Sequence, residues 1–179
     1  MQLELRQFIA GGTTMQQEKI IGEYLVCTAA KQDIHELVRM RLLLQEHMEQ
    51  VNALILRYNS DWKNELPLFY NKLLDDLNVL ILKAITEKDH EIVGMMVGVI
   101  VEHPNFTIER SVKIDDVWVD TEHRKKGVCS LLLTDLRNRF AEKGIKNFTL
   151  NYVVNNREAE QTWRALGFVP TITNCVAKP

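Results

Sequence analysis

The chain has 179 residues, 46% of them hydrophobic, and its 22 Lys and Arg nearly balance 24 Asp and Glu, for a formal net charge of −2. That length suits one domain with a substantial core and leaves two cramped, while the near-neutral charge argues against nucleic acid or a membrane surface as the partner. Cys27, Cys129 and Cys175 are odd in number, lack Cys-x-x-Cys spacing and follow no secretory signal, so a reducing, cytoplasmic setting with no disulfide and no metal site is expected.

Residues 1–22 read as an N-terminal extension, mildly strand-like over 1–10, broken at Gly11-Gly12-Thr13-Thr14, with Met15 as a second candidate start. An expression remnant and a functional arm are equally open there, and residues 23–179 read as a single domain. Residues 24–28 suit a short strand. From 31–33 a long helix is expected, because Ile34, Leu37, Val38, Met40, Leu44, Met48 and Val51 recur near helical spacing. Asn59-Ser60-Asp61 breaks it, and Pro67 stands where a second helix could open, with Phe69, Leu73, Leu74 and Leu77 as its apolar stripe.

Two strand-like runs follow, 79–84 and 92–101, joined by a polar segment, 86–91, of hairpin length. The second run carries Gly94 and Gly98, signs of a bulge or of close packing, and is too short and too broken to span a bilayer. Beyond a loop at Pro104-Asn105 comes the strand Val112-Lys113-Ile114-Asp115-Asp116-Val117-Trp118-Val119. A turn, His123-Arg124-Lys125-Lys126-Gly127-Val128-Cys129, then opens a helix over 128–143. A strand over 147–153, a helix beginning at Asn156 and terminal strand material over 168–176 complete the order. This pattern supports an α/β or α+β fold with a mixed sheet.

Strand, cationic glycine turn, helix is an arrangement that binds anions. The first turn of a helix has N–H groups without intrahelical partners and the positive end of the macrodipole, so a pyrophosphate is held by geometry and charge together. Arg124, Lys125 and Lys126 add positive charge, and Gly127 permits both close approach and positive φ. No Walker string and no dinucleotide fingerprint occurs in the chain.

What remains is Arg-x-x-Gly-x-small at 124–129, and with it the sequence resembles the GNAT superfamily of acyl-CoA-dependent N-acetyltransferases. A second match strengthens the resemblance. Asn156-Arg157-Glu158-Ala159-Glu160-Gln161-Thr162-Trp163-Arg164-Ala165-Leu166-Gly167-Phe168 is similar to the family's Asn-x-x-Ala-x-x-x-Tyr-x-x-x-Gly-Phe block. The matching segments cover about residues 112–170; the N-terminal half agrees only in the order of its elements.

The resemblance implies a GNAT-like mixed, mostly antiparallel sheet flanked by helices on both faces, with a parallel strand pair, 112–119 and 147–153, that splays apart. It implies acetyl-CoA as co-substrate, its pyrophosphate at Arg124, Lys125, Lys126, Gly127, Val128, Cys129 and Ser130. The pantetheine arm would run along the backbone of Val117, Trp118 and Val119, the Val119 amide being a candidate oxyanion donor. Asn156 and Trp163 would line the cofactor from the last helix, Asn156 also as a helix cap. Cys129 stands where the family has glycine or alanine; a thiol lowered by the helix N-terminus is one reading, a small side chain that leaves backbone donation intact the other.

Asp115 and Asp116 are the candidates to bind or deprotonate the amine, since Ile114-Asp115-Asp116-Val117 resembles an acidic string of small-amine acetyltransferases. Adjacent strand residues point to opposite faces, so the two carboxylates are not expected to share a site. Ion pairs with Lys113 or Arg110 are the plain alternative. Trp163 replaces the family's tyrosine, and an indole N–H donates a hydrogen bond but delivers no proton at neutral pH. Tyr152, a water or unassisted departure of the thiolate would then serve.

His35, His47, His90, His103 and His123 show no ligand spacing and read as surface or core-edge residues, with His123 singled out for its place beside the loop. The resulting expectation is an N-acetyltransferase moving acetyl from acetyl-CoA to a primary amine, on a small molecule or a protein, by direct attack in a ternary complex. The alternative is a CoA-binding sensor without turnover, motivated by Trp163. Homodimerisation is expected by resemblance.

Overall fold

The computed structural model describes residues 19–54, 57–175 and 177. Six strands form one sheet in sequential order: β1 (Lys19–Ile21), β2 (Tyr24–Thr28), β3 (Val79–Thr86), β4 (Ile92–Glu102), β5 (Arg110–Val119) and β6 (Phe148–Leu150). The first five form an antiparallel meander, and β6 runs parallel to β5. Helices α1 (Ile34–Val51) and α2 (Ser60–Asp75) join β2 to β3, α3 (Val128–Glu142) joins β5 to β6, and α4 (Arg157–Ala165) follows β6. The expected mixed sheet flanked by helices is what forms, and β1 adds a strand from within the N-terminal extension.

Strand alternation builds two cores. On one face Ile81, Met95, Val97 and Trp118 meet Leu37 and Met40 of α1 and Leu66 and Tyr70 of α2. On the other, Leu82, Ala84, Met96, Val112 and Ile114 pack under Leu131, Leu132, Leu136 and Phe140 of α3. A strand buried on both faces reads as a continuous apolar run, which is why 92–101 lacks clean alternation. Among the described residues no helix is long and apolar enough to cross a membrane.

Gly98 is a close-packing position. A Cβ there would lie 2.9 Å from Phe140 Cε2, 3.0 Å from Leu136 Cδ1 and 3.2 Å from Val112 Cγ1. Gly98→Ala therefore overpacks the α3 face, with an expected cost of about 1–3 kcal/mol and a melting temperature lower by roughly 2–4 °C per kcal/mol, read in a thermal melt.

Four expectations are corrected. α2 opens at Ser60, not Pro67, because Asn59 caps it by accepting the Trp62 N–H at 2.8 Å; Pro67 lies inside the helix. Of the expected stripe Phe69, Leu73 and Leu74 pack against the core, but Leu77 lies beyond α2 and is 90% exposed, and Trp62, Leu66 and Tyr70 complete the inward face. β6 is three residues, not seven, and residues 168–175 form no strand. Its pairing with β5 ends at Leu150 opposite Ile114, and Val169 and Ile172 in the tail are exposed.

Candidate active site

The site begins with a fault in β5. Gly98 pairs with Ile114 and Met96 with Val117, so Asp115 and Asp116 together oppose Val97: a β-bulge. Beyond it β5 continues against β4 while β6 has already ended, leaving one edge of β5 open. The Asp120 N–H donates to Val93 O at 2.9 Å. Counting back by alternation, the Trp118 backbone faces β4, and the N–H and C=O groups of Val117 and Val119 face the open side. Of the three backbones expected to serve the pantetheine arm, Trp118 is thereby engaged in the sheet.

The bulge also corrects the parity of the acidic pair. Ile114 and Val117 both pack on the α3 side, so Asp115 and Asp116 fall together on the α1/α2 side. Their environments still differ. Asp115 pairs with Lys113 at 2.8 Å and is half exposed. Asp116 is enclosed: Arg41 Nε lies 3.0 Å from one carboxylate oxygen, and the Tyr70 hydroxyl donates to the other at 2.8 Å. Burial pushes the Asp116 carboxyl above the usual range, with Arg41 and Tyr70 opposing that shift. Burial also raises the Tyr70 phenol, with Asp116 adding to it. Arg41 donates further to Tyr58 and to Gln45, so the helices clamp the bulge through a buried arginine.

After β5 the chain is anchored at Asp120, which accepts from Arg39 at 2.8 and 3.1 Å and from the Trp118 indole at 2.8 Å. Burial works against the Asp120 charge, but these bonds outweigh it and hold its carboxyl below the usual range. A 3-10 turn, Thr121–His123, follows, and the Tyr24 hydroxyl bonds His123 Nδ1 at 2.9 Å, which makes His123 a tether between β2 and the loop. Lys125 (φ +57°) and Gly127 (φ +87°) turn the chain into α3.

The first helical bond there runs from the Leu131 N–H to Gly127 O at 2.9 Å, so the N–H groups of Val128, Cys129 and Ser130 have no intrahelical partner, and no side chain caps them. A Cβ on Gly127 would meet nothing within 4 Å. Lys125 and Lys126 are exposed and unpaired among the described residues, while the Val128 side chain is buried in the core. Open space, free donors and two free ammonium groups fit a pyrophosphate.

Arg124 does not behave as expected. Its Nε donates to Val119 O at 3.0 Å, Nη1 pairs with Glu158 of α4 at 3.0 Å, and the guanidinium lies 4.7 Å over the Trp118 ring. Its charge is held across the open edge rather than presented to the loop. The Cys129 thiol is pushed up to about 11 by burial, which argues against a reactive thiolate. Cys129 is therefore expected to react with a thiol-specific disulfide reagent far more slowly at pH 8 than the exposed Cys175, as followed by peptide mapping.

On α4, Asn156 is the N-cap, its Oδ1 accepting the Ala159 N–H at 3.0 Å. Trp163 is 7% exposed and packs edge-on against Phe168, 5.5 Å between centroids, as part of the α3-side core. Tyr152 is partly buried against the same cluster. Among the described residues no three His, Cys, Asp or Glu gather as a metal site.

Arg41, Tyr70 and His47 were not legible as site residues. Their one signal is chemical: Arg41 and Gln45 are polar residues four apart that interrupt the buried stripe of α1. His47 lies 6.2 Å from the Trp118 ring, and its Nε2 is 3.4 Å from Asn156 Nδ2.

A parallel strand pair that parts at a bulge thus leaves an open backbone edge beside a helix whose first N–H groups are without partners behind an exposed glycine turn. The profile of the acetyltransferase (GNAT) family matches residues 42–168, and the chain belongs to that family. Among solved structures, a predicted acetyltransferase from Clostridium acetobutylicum, crystallised with acetyl-CoA, aligns with a TM-score of 0.68 at 19% identity over 87% of this chain and 96% of that one. An aminoglycoside 6'-N-acetyltransferase from Acinetobacter baumannii gives 0.66 at 16% identity, over 87% and 97%. A ribosomal-protein-alanine N-acetyltransferase from Brucella melitensis gives 0.64 at 17%, over 88% and 99%. At these identities the likeness is one of fold. No curated protein sequence matches the chain.

Proposed function

We propose that the protein transfers the acetyl group of acetyl-CoA to a primary amine by direct attack in a ternary complex. The observation that carries this reading is the open edge of β5 past the bulge, which leads from the acidic pair directly to the free N–H groups of α3. Lys125, Lys126 and the backbone at Gly127, Val128, Cys129 and Ser130 hold the pyrophosphate. The Val117 and Val119 N–H groups pair with the pantetheine arm and stabilise the carbonyl oxygen as it gains charge. Arg124, resting on Val119 O, swings aside or donates to the arm as it enters.

The amine lies on the α1/α2 side, where Asp115 is half exposed and favours a cationic acceptor. Asp116, with both oxygens engaged, holds the bulge in shape. The acceptors named for the structural neighbours, an aminoglycoside and a ribosomal-protein alanine, lie within the primary-amine class proposed here. Buried Trp163 favours one other reading, a CoA-responsive protein without turnover.

Calorimetric titration with acetyl-CoA and with free pantetheine tests the cofactor half. Micromolar acetyl-CoA affinity, much weakened for pantetheine, supports the loop; no binding overturns the reading. Thiol release across a panel of polyamines, amino sugars and N-terminal peptides then decides between transferase and sensor.

A further inference from the structure

The gap between the end of β5 and the start of α4 is bridged by one side chain. Arg124 reaches back from the glycine turn, its Nε donating to Val119 O at 3.0 Å and its Nη1 to a Glu158 carboxylate oxygen at 3.0 Å. The guanidinium rests 4.7 Å over the Trp118 ring. That ring is braced: its indole N–H donates to Asp120 at 2.8 Å, and Arg39 holds Asp120 in turn. The ion pair above it is looser, with the Glu158 side chain 45% and the Arg124 side chain 22% exposed, and a pair so placed exchanges partners at small cost. Val119 O lies on the open edge of β5, so a chain laid along that edge has to move the guanidinium off it.

Resting on the acetyl-transfer reading above, we propose that Arg124 is a two-position latch that selects thioesters carrying a pyrophosphate. Bonded to Val119 O and Glu158 it closes the pantetheine edge; transferred to the pyrophosphate it opens that edge. Any pantetheine arm that enters takes from Arg124 its carbonyl and its carboxylate, and Glu158 therefore weakens all such ligands alike. Only acetyl-CoA supplies a replacement, because its pyrophosphate settles at the free N–H groups of α3, further along the same turn. A bare pantetheine arm brings no anion and leaves the displaced guanidinium unpaired. The preference between the two ligands thus comes from what Arg124 gains in the open position, since a ligand shifts an equilibrium only by its differential affinity for the two states. One residue plugs the free cleft and holds the bound phosphate, which reconciles its engaged position with the phosphate role that the Arg-x-x-Gly pattern implies.

The test needs no acceptor. Calorimetry of the full chain with acetyl-CoA and with free pantetheine is run on the wild type and two variants, with a thermal melt on each preparation to show that it is folded. Glu158→Ala is expected to tighten both ligands by a similar factor, about threefold, because it removes a cost that both meet. Arg124→Ala should tighten pantetheine about five- to tenfold, since it also frees Val119 O, while acetyl-CoA gains nothing or weakens for want of its phosphate ligand. The two changes together should bind pantetheine no better than Arg124→Ala alone, because both open one contact. Pantetheine affinity unchanged or reduced in either variant, or an equal gain for both ligands in Arg124→Ala, overturns the latch and leaves the acetyltransferase reading standing. Failure of the wild-type protein to bind acetyl-CoA overturns both.

Discussion

Gly127→Val is expected to weaken acetyl-CoA binding at least about a hundredfold while the domain stays folded. Two effects combine. At φ +87° a β-branched residue is strained, at a cost of roughly 1–3 kcal/mol. Its side chain also projects into the open space that faces the free N–H groups of α3, where nothing of the protein lies within 4 Å of a Cβ. The strain acts on the fold; the projection acts on the ligand. Calorimetry and a thermal melt on the same preparation separate them: affinity should collapse while the melting temperature falls by only several degrees, about 2–4 °C per kcal/mol. Unchanged affinity would mean that the pyrophosphate lies elsewhere. Gly127→Ala should fall between the two.

Arg41→Met is expected to be the most destabilising single change at the site, by about 3–5 kcal/mol near neutral pH, because it leaves the buried Asp116 carboxylate without its counter-charge. The loss should depend on pH with a defined sign. Burial already raises the Asp116 carboxyl, and Arg41 is the principal opposing influence, so removing Arg41 raises it further. A carboxyl whose folded-state pKa is raised destabilises the fold when ionised. The deficit relative to wild type is therefore largest above that pKa and shrinks as pH falls through it. Urea unfolding of both proteins at pH 8 and pH 5.5 reads the difference. Adding Asp116→Asn to Arg41→Met should recover a large part of the loss, since a neutral amide needs no cation. An equal deficit at both pH values would show that Arg41 stabilises through packing alone.

The two effects locate different parts of one device. The glycine turn is a local structure: two left-handed residues and a helix start, all within a few positions. For that reason it was readable, as was the cap at Asn156, whose side chain reaches only three residues ahead. The acidic pair was visible as a string but its geometry was not. Strand parity placed Asp115 and Asp116 on opposite faces, whereas the register slip between Met96 and Gly98 puts both on the α1/α2 side. A bulge is a property of two strands, and nothing in one strand's alternation announces it. Arg124 likewise read as a phosphate ligand, yet a carbonyl freed by the splay and a carboxylate 34 residues further on compete for its guanidinium.

Local structure, then, was legible in the sequence itself: most of the order of helices and strands, the glycine turn that opens α3, the capped last helix and the resemblance to the family to which the chain belongs. Each depends on backbone conformational preference and on hydrogen bonds that close within a turn. The tertiary structure decided the rest: the bulge, the open edge of β5, the enclosure of Asp116 by Arg41 and Tyr70, the burial that pushes the Cys129 thiol up, and the meeting of His47 with Asn156, 109 residues apart. Those features arise from strand register and from contacts between distant segments, whose energies depend on which surfaces are removed from water together.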